Sequence, residues 1–205
     1  MAAKHPHQSL IYVHGTNGSG KSTLARHLIM CAGGIRETKR HPKTQANVTY
    51  THAGLTLLGK YTTPTGGADG VQPYSSVPKT ALALLRNGKS VFIEGLMTPG
   101  VETCADLYDG AREINPNVEF RYIKLDIGFY QSQQNVLRRR QLTGNEKPLD
   151  PTNLRKKQAS ADAWFTRIAA AHLPIYGFIN WKEARDFCLS AYQLNATGAV
   201  RLLDQ

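Results

Sequence analysis

With 205 residues, 41% of them apolar, the chain is long enough to bury one core without disulfides or a structural metal. Its three cysteines, Cys31, Cys104 and Cys188, are far apart, odd in number and lack paired C-x-x-C spacing, which argues against a disulfide framework or a zinc site and points to buried thiols in a reducing compartment. The net charge of +10 is unevenly spread: before Glu94 the acids are Glu37 and Asp69 alone, against eleven lysines and arginines, whereas beyond it the signs nearly balance. A one-sided basic half suits a polyanionic partner, and a merely solubilising surface is the plain alternative. Residues 1–9 lack the apolar run of a signal peptide and no stretch reaches membrane-spanning length, so a cytoplasmic protein is expected.

Leu10-Ile11-Tyr12-Val13 reads as a buried strand, and the run from Thr23 to Met30 as a helix with Leu24, Leu28 and Cys31 at helical spacing. Between them lies Gly15-Thr16-Asn17-Gly18-Ser19-Gly20-Lys21-Ser22, which fits the phosphate-loop pattern G-x-x-x-x-G-K-[ST] in the strand–loop–helix setting that the motif requires. Glycines let backbone N–H groups close around phosphate oxygens, and the helix start, Thr23 included, adds its positive dipole end. Lys21 is expected on the β- and γ-phosphates, and the Ser22 hydroxyl on Mg²⁺. ATP and Mg²⁺ are therefore the expected ligands.

Ala32-Gly33-Gly34 ends the helix, and Arg36 to Lys43 reads as a basic loop broken by Pro42. Arg36, Lys39, Arg40 and Lys43 are candidate contacts for phosphate; a solvated loop is the alternative. Asn47–Thr51 and Leu55–Tyr61 have strand character. The segment from Thr62 to Gly70 is a glycine-rich loop holding Asp69. Asp69 has three roles open to it: making a turn, receiving a proton from a substrate hydroxyl, or helping to hold the metal. Tyr61 and Tyr74 flank this loop, with packing and base stacking as their alternatives.

A helix follows from Pro78 to Arg86, then the apolar strand Ser90–Gly95. Glu94 closes that strand, and an acid at the carboxyl end of a central parallel strand faces the ligand crevice. It stands where a Walker-B aspartate is usual, as a metal-side group or as the base. A helix over Glu102–Ile114, a strand over Val118–Leu125 and a helix over Phe129–Gln141 come next. The last of these runs into Arg138-Arg139-Arg140, and the breaker-rich stretch Thr143–Asp150 follows. Arginines on a helix before a loop suit a lid that donates to a phosphoryl group, and on a helix only one or two of the three can face it. Further helices are expected over Thr152–Ala171, with Trp164, Ile168 and Ala171 inward, and over Trp181–Leu194, then a short strand at Ala199–Leu203. Arg155, Lys156 and Lys157 suit either a phosphate backbone or the lid.

This alternation predicts one α/β domain over 1–205, three-layered, with a mainly parallel sheet and a lid at about 138–157. Gly15–Ser22, Gly59-Lys60-Tyr61, Gly66-Gly67-Ala68-Asp69, Phe92-Ile93-Glu94-Gly95 and Arg138-Arg139 together resemble bacteriophage-encoded kinases of the thymidylate-kinase superfamily, and within it the phage 5-hydroxymethyluracil DNA kinases. The resemblance covers about Leu10 to Lys157. It implies transfer of the ATP γ-phosphate to the hydroxymethyl group of 5-hydroxymethyluracil already in DNA, a step toward thymine hypermodification. Lys21, Asp69, Glu94, Arg138 and Arg139 are then the expected catalytic groups, with Ser22 and Glu94 on the metal side. A kinase of free nucleotides needs the same loop but not the charge asymmetry. A non-catalytic nucleotide-binding DNA partner needs the charge but not the acids and the arginines together.

Overall fold

Ser9–Gly15 forms β1, and all of its residues are buried. The computed structural model describes residues 7–62, 67–68, 71, 73–95 and 100–194. β1 is covered on both faces because it is the middle of the parallel part of the sheet, between β5 (Ser90–Glu94) and β6 (Glu119–Leu125). A strand buried on both faces has no polar side to alternate with, hence its apolar run. β4 (Leu55–Leu58) lies parallel outside β5, and β7 (Ile175–Phe178) parallel outside β6. β3 (Asn47–Thr51) and β2 (Ile35–Arg40) extend the β4 edge antiparallel, giving the order β2-β3-β4-β5-β1-β6-β7.

Helices cover both faces, as expected for a three-layer α/β domain. α1 (Lys21–Cys31) and α6 (Trp181–Ala191) pack with Ile11, Val13, Leu57, Phe92 and Ile123 on one face. α2 (Ser76–Arg86), α3 (Val101–Ile114) and α5 (Pro151–Ala170) pack with Leu10, Tyr12, Ile93, Phe120 and Tyr122 on the other. Trp164 of α5 is 1% exposed and meets Tyr12, Tyr122 and Phe165 edge-on or tilted. Such pairs add about 0.5–1.5 kcal/mol each beyond the area they bury. Cys104 and Cys188 are buried, Cys31 is half-buried, and all three are free thiols.

Two expectations change, and one strand appears where none was expected. The stretch 36–43 is not a loop throughout: residues up to Arg40 form the edge strand β2, and the turn at Pro42 only joins it to β3. Pairing with the β-rich Asn47–Thr51 overrides the weak local preference of a charged run. Ala171 is not on the core face of α5; it caps the helix and is exposed, while Leu154, Ala161 and Phe165 complete the buried side. β7 carries little local signal, being four residues with a glycine, and exists because it pairs with Tyr122–Leu125. The expected strand at 199–203 lies outside the described residues.

The expected lid divides among three pieces. Arg138 to Leu142 is the last turn of α4 (Phe129–Leu142), residues 143–150 connect, and 151–157 begin α5. Asp150 caps α5, accepting from the N–H groups of Thr152 and Asn153 at 2.9 and 3.2 Å. Arg155 lies over the Phe129 ring, 4.0 Å from its centroid, joining the start of α5 to the start of α4. No described helix is long and apolar enough to cross a membrane.

Candidate active site

The phosphate loop leaves β1 at the carboxyl edge of the sheet, where the neighbouring strands β5 and β6 also end. Gly20 precedes α1, and no side chain caps that helix. Its first turn also holds no acid. The leading N–H groups of α1 are thus left to an anion, which fits the phosphates of a nucleotide. Lys21 is 7% exposed and folds back over the loop, its Nζ donating to Gly15 O at 2.8 Å and Thr16 O at 2.9 Å. The Thr16 hydroxyl is buried and makes no hydrogen bond among the described residues.

The loop is held from outside by α4, a contact with no motif in the sequence. The Ser132 hydroxyl donates to Asn17 O, and Asn135 Nδ2 donates to Gly18 O at 2.9 Å. A Cβ on Gly18 would stand 2.5 Å from Ser132 O, and the φ of Gly18 is +78°, so this position requires glycine twice over. Ser19 N–H donates to Thr16 O at 3.3 Å, tightening the turn. Trp181, at the start of α6, touches Gly20 and stacks on His27 with ring centroids 4.5 Å apart. Thr23 is exposed in the first turn of α1.

Strand register delivers the acid. Glu94 pairs with Val13 across β5 and β1. Alternation turns it to the same face as Phe92, the face on which α1 packs. Its Oε1 accepts from the Ser22 hydroxyl at 3.1 Å, and the residue is 2% exposed. The two groups expected beside a metal, far apart in sequence, are therefore in contact. Both are oxygen ligands, the chemistry of a hard cation such as Mg²⁺. Among the described residues no three His, Cys, Asp or Glu side chains converge into a cage.

Asp69 lies outside the described residues. Its neighbours Gly67 and Ala68 are buried, and a Cβ on Gly67 would clash with the Glu94 carboxylate. Arg138 and Arg139 are exposed on the last turns of α4, and Arg140 donates to Lys147 O. Helical spacing separates the three. Ser132, Asn135 and Val136 face the loop. Arg139 lies two turns beyond Ser132, about 20° from its direction, whereas Arg138 and Arg140 lie about 120° and 80° away.

On the loop's other flank, Lys124 Nζ reaches Asp126 and Asp162, each at 2.8 Å, tying β6 to α5. Partial burial pulls its ammonium down, but the two carboxylates outweigh this and its pKa is raised. His14, buried just before the loop, bonds Gly95 O through Nδ1 at 2.9 Å and packs against Trp164. Tyr61 is buried in the α1 face and Tyr74 bonds the Tyr12 hydroxyl, so packing is the role both perform here.

The four basic candidates separate. Arg36 and Lys39 both pair with Glu37, at 3.1 and 3.0 Å. Lys39 also lies 4.9 Å from the Tyr50 ring centroid. Arg40 and Lys43 are exposed at the carboxyl end of β2 and in the turn after it, with no ion pair among the described residues.

No family model matches the chain. Two curated phage proteins named 5-hmdU DNA kinase are similar to it. The one from Delftia phage PhiW-14 is 29% identical over 166 residues, 72% of this chain and 59% of that protein. The one from Pseudomonas phage PaMx11 is 27% identical over 174 residues, 82% of this chain and 89% of that protein. The chain thus spans less than two thirds of the first relative and most of the second. Among solved structures, a deoxyadenosine kinase from M. mycoides with bound dCTP aligns over 95% of this chain and 97% of its own, at 10% identity and a TM-score of 0.42.

Proposed function

We propose that this nucleotide-kinase-like P-loop protein is a phosphotransferase that moves the γ-phosphate of ATP onto the hydroxymethyl group of 5-hydroxymethyluracil within DNA. The observation that carries the reading is the contact between Ser22 and Glu94 at the head of the phosphate loop. It joins an oxygen pair suited to Mg²⁺ to an uncapped helix start suited to phosphate. The names of the two phage relatives and the basic amino-terminal half support the DNA substrate.

Ser22 and Glu94 would hold a Mg²⁺ ion, which would offset the charge of the nucleotide phosphates. Lys21 leaves its loop carbonyls for the phosphates and offsets the charge that develops on the transferred group. The substrate hydroxyl oxygen forms the new bond to γ-phosphorus as the bond from phosphorus to the leaving ADP oxygen breaks. Asp69, the acid that the sequence alone offers as proton acceptor, takes the hydroxyl proton in this reading and passes it to water. Arg139 donates to the phosphoryl oxygens from α4.

The test uses labelled ATP and three acceptors: DNA containing 5-hydroxymethyluracil, the same DNA with thymine, and free deoxynucleosides and deoxynucleotides. Label on the modified DNA alone is the expected result. Label on the free compounds with none on modified DNA would reject the DNA substrate in favour of a small-molecule kinase.

A further inference from the structure

A row of backbone contacts runs from Glu94 to the far edge of the sheet. Glu94 neighbours Gly59, because Ile93 pairs with Leu58. The Gly59 N–H donates to Asn47 O at 2.8 Å, and Asn47 pairs with Arg40. β2 and β4 are both antiparallel to β3, so β2 ends on the same edge as β4, β5 and the phosphate loop. Three strand spacings, about 14 Å, separate the backbones of Arg40 and Glu94.

Other cations gather on this stretch. Lys60 directly follows Gly59 in the row. The Thr44 hydroxyl lies 2.5 Å from that of Thr80, so Lys43 and Lys79, the latter in the first turns of α2, are each the chain neighbour of a residue in this contact. Arg40, Lys43, Lys60 and Lys79 are all exposed, and none makes an ion pair among the described residues. The acid of β2, Glu37, points its carboxylate at Arg36 and Lys39 instead. Arg36 lies four residues back along the strand from Arg40, about 13 Å from this edge.

We propose that Arg40, Lys43, Lys60 and Lys79 form a docking strip for the phosphate backbone of the DNA strand that carries the acceptor base, leading outward from Glu94 along the carboxyl edge of the sheet. This rests on the reading of the protein as a DNA kinase and adds where the polymer lies. A stacked strand advances about 3.4 Å per nucleotide, so about 14 Å of edge spans roughly four nucleotides. A free nucleotide held at Glu94 has no phosphates at that distance. Contacts of this kind position the strand without reading its sequence.

The strip is tested by measuring kcat/KM for DNA containing 5-hydroxymethyluracil against salt, in the full chain and in Arg40→Gln, Lys43→Gln, Lys60→Gln and Lys79→Gln. Each variant should reduce the slope of log kcat/KM against log salt by about 0.7–0.9, the value of one lost phosphate contact. The KM for ATP should not change, and Arg86→Gln at the opposite edge should leave the slope as it is. Single substitutions at exposed positions keep the fold, which thermal melting verifies. Wild-type labelling of modified DNA with unchanged slopes in all four variants would overturn the strip and leave the kinase reading standing. Wild-type labelling of free nucleosides with none on DNA would overturn both.

Discussion

Gly67 lies so close to Glu94 that a Cβ built on it would stand 2.6 Å from Oε1 of the carboxylate. The same residue has a φ of +101°, which L side chains rarely adopt. Gly67→Ala therefore carries two penalties, strain of about 1–3 kcal/mol and a push on the acid that meets Ser22. Turnover should fall at least tenfold and the Mg²⁺ concentration for half-maximal rate should rise. A magnesium titration checks this, and a variant with wild-type metal dependence would show that Glu94 does not act beside the metal.

Glu94→Gln keeps the shape and removes the charge. A neutral amide holds a divalent cation poorly, so the expected result is a rate loss of about 10²-fold or more, with a partial return at high Mg²⁺ or Mn²⁺. Ser22→Ala should show the same direction with a smaller loss. Rates measured across metal concentrations separate this from loss of a base, which metal does not restore.

Lys21→Ala should abolish transfer, and the geometry adds a cost to stability. The ammonium satisfies the carbonyls of Gly15 and Thr16 in a buried loop. Removing it leaves those acceptors without that donor, at about 1–3 kcal/mol. Melting should show a modest drop in Tm, and ATP should no longer raise the Tm of the variant. Near wild-type turnover would contradict the assignment of the phosphate loop.

Among the three adjacent arginines, Arg139 shares the face of α4 that grips the loop through Ser132 and Asn135. Arg139→Ala should lower kcat about 10²-fold or more, exceeding the effect of Arg138→Ala. Arg140→Ala should cost chiefly its bond to Lys147 O and change kcat little. Single-turnover rates of the three variants rank them directly.

His27 stacks on Trp181 and its pKa is lowered from the ordinary 6.5 by burial first and by the nearby Arg185 second. The unfolded chain then binds more protons than the folded one just below that value. The contribution of this group is fully present above about pH 6.5 and is lost as the pH falls through the lowered value. His27→Gln should flatten the loss of Tm between about pH 7 and pH 5, as melting curves across that range would show.

Local order in this protein is legible from its residues one stretch at a time. The strand before Gly15, the loop to Ser22 and the helix after it follow from an apolar run, glycines and helical spacing that need no distant partner. The same holds for β5 closing on Glu94, because a strand buried on both faces leaves its first polar residue at the edge. The basic half of the chain is a matter of composition. Tertiary structure alone decided what meets what. Pairing with β3 made a strand of Ile35–Arg40, and pairing with β6 made one of Ile175–Phe178, since a short strand gains its hydrogen bonds from a neighbour. Register put Glu94 on Ser22, and the packing of α4 put Ser132 and Asn135 on the phosphate loop. It also separated Arg40 and Lys43 from Arg36 and Lys39, which Glu37 engages. The contacts of Glu94 with Ser22 and of α4 with the phosphate loop join residues tens of positions apart, and no local periodicity encodes which strand lies beside which.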